Sequence, residues 1–311
     1  MLIHNRSSKH FAARHIMISI VIRTLNEEKF LVECLDSIKK QIIRHNYKII
    51  IVDSGSTDGT LEIARASQAK IIHIEKDIFT FGRSLNLGCA AGQGELIVIL
   101  SAHCIPTNQY WLQNLIRPFH DKSVAYIYGR QIARSGVNKI SEKWVFEKYY
   151  PNNDIDKTSL PFFCNNANAV IKREVWKKYK FDESLTGLED MEIAKRLCAD
   201  NYKIGYAHES IVEHIHEESW LQIKTRYERE AVALASIAPE LSLNFFEGTR
   251  LFCRAINSDL KNTRNKALRD ISSIILFRFN QFYGSYVGSL SSKKRIARMK
   301  KHYFYPNETI S

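Results

Sequence analysis

Apolar positions follow two alternating rhythms through the first hundred residues. Residues 16–22 (IMISIVI) form a short run rich in β-branched side chains, the pattern of a strand buried on both faces. Residues 27–44 follow with Leu31, Leu35, Ile38 and Ile42 at helical spacing. The alternation repeats. Residues 48–52 (KIIIV) predict a second buried strand, closed by Asp53-Ser54-Gly55-Ser56, and residues 57–67 a short helix. Asp58 lies near the start of that helix, where a carboxylate suits the helix dipole. Residues 70–74 and 95–100 (ELIVIL) predict a third and a fourth strand, with a helix over 84–91 between them. Continuous apolar strands alternating with amphipathic helices mean βαβ units and a mostly parallel sheet. Such a sheet binds ligands beyond the carboxyl ends of its strands. The unusual polar residues lie at those ends, at 23–27, 53–58 and 101–103.

The rhythm loosens in the second half. Residues 124–132, 167–171, 202–207 and 211–216 read as strands; 141–150, 189–200 and 218–237 read as helices, and 151–161 as a polar loop. Beyond Pro239 the pattern is helical, aromatic and basic. The expected organisation is a lead-in over 1–15, an α/β domain over 16–238 and a helical segment over 239–311.

Composition narrows the classes. With 311 residues, 45% hydrophobic and 25% charged, the chain can bury a sizeable core. No run of about 18 uncharged apolar residues exists, which excludes a conventional membrane span. Of the net charge of +12, most sits at one end: residues 250–311 hold 13 basic and 3 acidic side chains. A basic tail on a near-neutral body points to a local anionic partner. The tail interleaves Phe277, Phe279, Phe282, Tyr283 and Tyr286 with a later basic run, KKRIARMKK. That composition suits an anionic membrane surface; a nucleic-acid groove and a plain packed helix are the other readings. The expectation carried forward is the membrane surface, with no nucleic acid. Six cysteines without C-x-x-C spacing, and a polar start with no apolar stretch, make a reducing cytosol the expected compartment, with peripheral attachment to the inner membrane face.

Four motifs occur in order: ISIVIRTLNE ending at Glu27, IIIVDSGSTDG ending at Gly59, LIVILSAH ending at His103, and Gly187-Leu188-Glu189-Asp190. Together they resemble the inverting family 2 glycosyltransferases of GT-A fold, over roughly residues 16–235. The resemblance implies an α/β GT-A domain with a central, mostly parallel sheet flanked by helices, here followed by a helical basic tail. It implies transfer of a sugar from a nucleoside diphosphate to a hydroxyl of a glycan or lipid-linked acceptor. The FTFGR stretch ending at Arg83 and the H-x-H pair at 214 and 216 look most like bacterial rhamnosyltransferase-type members that build surface polysaccharide.

Residue by residue, the resemblance makes Asp53 an acceptor for a base N–H, with Ser54 and Gly55 letting the backbone approach the nucleotide; a plain strand-to-helix turn is the alternative. Asn26 and Glu27 match the family's N-E pair, and Glu27 can accept from a ribose. Arg23 stands where the family often has proline, and is expected at a phosphate or ribose. Arg83 is expected at the diphosphate. Glu189 and Asp190 match the E-D pair whose carboxylate is the general base, Asp190 ahead of Glu189. Trp144, Asn165 and Asn166 lie where the family binds acceptor.

The departure is at the metal motif. Ser101-Ala102-His103 replaces D-x-D. Three readings stay open: His103 as a metal ligand, a cation-free site balanced by Arg and His, or an inactive site. His214 and His216 alternate along a strand and so share a face, which makes them companions for His103. A divalent cation is expected at most weakly, Mn²⁺ ahead of Mg²⁺, because imidazole is a poor ligand for Mg²⁺. The competing functions are a sugar nucleotidyltransferase, disfavoured because residues 18–27 hold no glycine, and an impaired nucleotide-sugar-binding protein.

Overall fold

A computed structural model describes residues 15–153, 160–242, 244–263, 267–291 and 293–305. The expected lead-in lies outside these residues except for His15, as do 154–159 of the expected polar loop. The first half runs β1 (Met17–Thr24), α1 (Glu28–Lys39), β2 (Asn46–Asp53), α2 (Thr60–Ala66), β3 (Lys70–His73), α3 (Phe81–Ala91) and β4 (Leu96–Ser101). β1 pairs in parallel with β2 and β4, and β2 with β3. Val21, Val52, Ile97 and Ile99 face one apolar core; Ile20, Ile22, Ile51, Val98 and Leu100 face the other. Both faces are covered, so these strands need apolar side chains at every position. Gly88 lets α3 lie close on the sheet, since a Cβ there would strike Val21 and Val52.

The second half adds β5 (Cys104–Pro106), α4 (Trp111–Ile116), β6 (Val124–Ala133), α5 (Ile140–Tyr149), β7 (Asn168–Lys172), α6 (Arg173–Tyr179), α7 (Glu189–Ala199) and β8 (Lys203–His214). The eight strands lie in the order β3-β2-β1-β4-β7-β6-β8-β5. β7 runs antiparallel between β4 and β6, β6 and β8 are parallel, and β5 returns antiparallel along β8. Two expectations are corrected here. The strands read over 202–207 and 211–216 are one strand, β8, whose residues 208–210 bulge: Gly129 pairs with Ala207, and the next residue, Arg130, with Ile211. The first helix stops at Lys39, short of Ile42, which is exposed.

α8 (Trp220–Ile237) follows β8, and the C-terminal segment beyond it comprises α9 (Phe245–Asn262), α10 (Leu268–Ser289) and α11 (Lys293–Phe304). α8 opens on a capping box between Ser219 and Gln222. α10 crosses α8 closely because Gly284 and Gly288 face it; a Cβ at either would meet the backbone carbonyls of Lys224 and Glu228. A buried bidentate pair, Arg278 to Asp259 at 2.7 Å through both nitrogens, ties α10 to α9. Tyr303, Phe304 and Tyr305 are buried. The tail therefore packs onto the α/β body and forms part of its cavity wall.

Candidate functional site

The strand ends build the site. Thr24 and Asp53 are register partners at the ends of β1 and β2. Asp53 is fully buried, and its carboxylate accepts from the backbone N–H groups of Gly55 and Ser56 at 3.0 Å, from Thr24 Oγ1 at 2.9 Å, and from the Ser56 hydroxyl. Asn26, in the left-handed region at φ 55°, accepts from Thr57 N–H at 2.8 Å and joins the two turns. Gly55 takes φ 98°, a conformation that strains side-chain-bearing residues. The Asp53 carboxylate thus shapes the turn, and Asp53, Asn26 and Gly55 stand beside the cavity described next rather than on its lining.

One cavity of about 830 Å³ opens at these strand ends. Its wall brings together Arg23, Glu27, Ser54, Ser101, His103, Asn165, Asn166, Glu189, Asp190, His214 and His216. Three other expected residues lie off it. Arg83 pairs with Glu183 at 3.2 Å on the surface and donates to the Ile78 carbonyl. Ala102 is buried in the apolar core. Trp144 is beneath Lys143, while its helix neighbours Val145, Phe146 and Tyr149 face the cavity. On a helix, residues one apart point in different directions, which is why Trp144 stands off the cavity that its neighbours line.

The three histidines converge. β4 turns directly into β5 through Ala102 and His103, and Cys104 of β5 is the partner of His214. The His103 and His214 rings stack at 5.2 Å between centroids, and His214 and His216 lie 4.1 Å apart. Each ring points Nδ1 at a fixed oxygen: His103 at Glu27 Oε1 (2.9 Å), His214 at Gln131 Oε1 (2.7 Å) and His216 at Glu142 Oε1 (2.6 Å). An ionised carboxylate only accepts, so Nδ1 of His103 and His216 carries the hydrogen and Nε2 is the nitrogen turned away from the carboxylate. Gln131 is oriented by donating its amide to Asn165 Oδ1 at 3.0 Å. Ligand nitrogens of the three rings all lie within 4.8 Å of one another. Burial would depress the His103 pKa, but Glu27 and Glu218 lift it above the ordinary value. His214 is held well below its ordinary value by burial, then by His216, His103 and Arg226.

A network behind His216 escaped the sequence reading. Glu142 also accepts from Arg226 at 2.8 Å, and Arg226 forks onto both oxygens of Glu218. Burial would raise the Glu142 carboxyl, but His216 and Arg226 pull it down to about 2. Glu142 sits on α5 and Arg226 on α8, elements far apart in sequence, and no local motif marks either residue.

Glu189 and Asp190 open α7, preceded by Leu188 at φ 55°. Both carboxylates are buried. Asp190 accepts from the N–H groups of Asn166 and Met191 at 2.8 Å. Burial, and after it the neighbouring Glu189 charge, pushes its pKa up to about 7. Asn166 Oδ1 is engaged by the Tyr126 hydroxyl, while its Nδ2 is buried with no hydrogen-bond partner among the described residues. On the far wall Phe146 stacks on His214, with 8° between the planes, and Tyr149 stacks on Phe163. Gln281, Ser285 and Ser289 of α10, with Phe304, close the cavity. These C-terminal contributions were also not foreseen.

Comparison with known proteins agrees with this architecture. The family model for glycosyl transferase family 2 matches residues 19–180. The chain is 27% identical over 281 residues to the O-antigen chain rhamnosyltransferase RfbN of Salmonella typhimurium, covering 87% of this chain and 89% of that protein. It is 31% identical over 193 residues to the O-antigen chain rhamnosyltransferase WbaN of Salmonella anatum, covering 58% and 60%. Among solved structures, a mannosyltransferase from Pyrobaculum calidifontis, in complex with GDP-Man and Mn²⁺, superposes with a TM-score of 0.57 at 16% identity, covering 96% of this chain and 77% of that one. A matched family model spanning more than half the chain, on a GT-A fold with the strand-end cavity in place, makes this protein a member of the inverting glycosyl transferase family 2.

Proposed function

We propose that the cavity binds a nucleoside-diphosphate sugar and an acceptor hydroxyl, and that Asp190 is the general base of an inverting displacement. The observation that carries this is a buried carboxylate with its pKa raised to about 7, in the same cavity as three convergent histidines. A base poised near neutral pH balances ionised fraction against proton affinity. In the step, the Asp190 carboxylate takes the acceptor O–H proton and the acceptor oxygen bonds to the anomeric carbon. The bond from that carbon to the diphosphate breaks, releasing the nucleoside diphosphate. No enzyme nucleophile is needed.

The histidine cluster fits a divalent cation. Nitrogens converge from three rings, and each ring is fixed from behind by an oxygen, the arrangement that orients metal-bound imidazole. His103, His214 and His216 would hold the ion, and neutral imidazoles favour Mn²⁺ over Mg²⁺. Bound there, it would supply positive charge for the departing diphosphate. Glu142 and Glu218 are already engaged by Arg226, so they support the site rather than compete for the ion.

Rhamnosyl transfer in bacterial surface polysaccharide synthesis is the reading favoured by the Salmonella relatives. A lipid-linked acceptor is favoured by the outer face of α9 and α10, where Phe245, Phe246, Leu268, Phe279, Tyr283 and Leu290 are exposed. Arg250, Arg254, Lys261, Arg269, Lys294 and Arg298 are exposed on the same segment. No helix among the described residues is long and apolar enough to cross a membrane. Attachment at the cytoplasmic face would therefore be peripheral. The test is incubation with a panel of nucleotide sugars, with and without Mn²⁺. Nucleoside diphosphate release that needs acceptor supports the proposal; pyrophosphate release, or binding without turnover, overturns it.

A further inference from the structure

We infer that Arg23 and Arg229 form a two-guanidinium fork that holds the diphosphate of the donor. This rests on the glycosyltransferase reading above and adds Arg229 to its machinery. Arg23 ends near the tip of β1 and is the register partner of Ser101, which places it beside His103. Arg229 comes from the middle of α8 and lies against the Gly187 turn that leads into Glu189 and Asp190. Both guanidinium carbons sit over the ring of Phe81, at 4.8 and 4.6 Å from its centroid, and both side chains line the cavity.

Both cations lean on one aromatic ring, which offsets only part of the cost of withdrawing them from water. Protein acceptors do not satisfy them either. Glu189 approaches Arg23 Nη1 only to 3.6 Å, beyond hydrogen-bond distance, and Arg229 spends Nη1 on the Tyr303 carbonyl at 3.3 Å. Arg23 Nη1 and Arg229 Nε are buried with no hydrogen-bond partner among the described residues. Burial lowers the Arg229 pKa, so its charge is poorly solvated by the protein around it. Buried guanidinium donors without acceptors are costly, and the cost is recovered when a multivalent oxyanion fills the gap. The anion is a diphosphate for two reasons. The orphaned donors lie on two separate forks, which one carboxylate spans poorly and two linked phosphates span well. Arg23 also stands at the strand ends beside His103, and Arg229 faces it across the turn that leads into Glu189 and Asp190. Glu27 and Glu189 also stand there, but each already faces a cation, Glu27 against His103 and Glu189 near Arg23, so the guanidiniums supply the charge that a diphosphate needs.

The experiment is calorimetric binding of UDP, GDP, dTDP and the matching monophosphates to the full chain with Mn²⁺. The nucleotide that binds the parent is then carried through the variants. Arg229→Gln and Arg23→Gln, verified as folded by thermal melting, should each weaken diphosphate binding by about ten- to hundredfold, the loss of charge-assisted hydrogen bonds. Monophosphate binding should fall less than about threefold, so the preference for diphosphate collapses. Arg229→Lys keeps charge and helix packing but not the fork, and should lose part of that preference. Equal loss for both nucleotides, or no loss, in folded variants overturns the fork while leaving the donor reading intact. If neither Arg229 variant folds, Arg23→Gln decides on the same criterion. A parent chain that binds no nucleotide overturns the donor reading and the fork together.

Discussion

Asp190→Asn replaces one carboxylate oxygen with an amide at the start of α7 and removes the proposed base. The structure makes two separate magnitudes available. A general base contributes about 10²–10⁴-fold to rate, so turnover should fall by that much. In the parent, the rate should climb as Asp190 ionises and level off above about pH 7, its raised value in the fold. Stability should move the other way. The folded state holds the Asp190 proton more tightly than the unfolded chain does, because the ordinary value is 3.8. Stability is therefore fullest below the ordinary value and is lost as pH rises from about 4 to about 7, by ~4 kcal/mol. Asparagine never ionises and escapes that loss. It does present an amide N–H₂ to one of the two backbone donors from Asn166 and Met191, which costs ~1–3 kcal/mol. The variant should thus be less stable than the parent near pH 4, where the parent carboxyl has barely begun to ionise, and more stable near pH 8. Nucleoside diphosphate release with saturating donor gives the rate, and urea denaturation at the two pH values gives the stability. A variant that turns over within threefold of the parent refutes the base assignment. Stability curves that fail to cross refute the account of why the carboxyl is raised.

Further outcomes follow from the neighbouring groups. Asp53→Ala should destabilise the fold by ~2–4 kcal/mol in urea, since four donors lose their acceptor; unchanged stability with lost nucleotide affinity would return Asp53 to the base-binding role. Glu142→Gln should weaken Mn²⁺ binding about 10–100-fold in a calorimetric titration, because His216 loses its orienting carboxylate. The same variant should lack the parent's acid sensitivity: with the Glu142 carboxyl held down to about 2, its contribution is present above the ordinary 4.5 and is lost as pH falls towards 2. Charge reversal at Lys294 and Arg298, combined with Phe279→Ser and Tyr283→Ser, should reduce co-sedimentation with anionic vesicles; parental binding should itself fall as salt rises. Equal sedimentation of parent and variant would leave that face an ordinary solvated surface.

Much of this protein was readable before any coordinates. Buried parallel strands require apolar side chains on both faces, so ISIVI, KIIIV and LIVIL announce themselves as local runs, and their polar ends mark where ligands bind. The closeness of His214 and His216 was equally local in sequence, although β8 ends at His214 and His216 lies just beyond it. Tertiary structure alone decided the rest. Only the antiparallel return of β5 along β8 brings His103 against that pair. Only the packing of α5 and α8 sets Glu142 and Arg226 behind His216. Asp53 reads in sequence as a ligand-facing acid; the turn that follows supplies three of its donors locally, but the fourth, Thr24, reaches it only when β1 and β2 pair. Arg83 and Trp144 lie in the right segments with side chains aimed elsewhere, because direction on a helix changes with every residue. Arg229 carries no motif at all. Sequence determines what a residue can do chemically and which face of its own element it occupies. Which groups share a cavity, and which donors are left without acceptors there, depends on contacts between elements distant in the chain, and only the folded arrangement sets those.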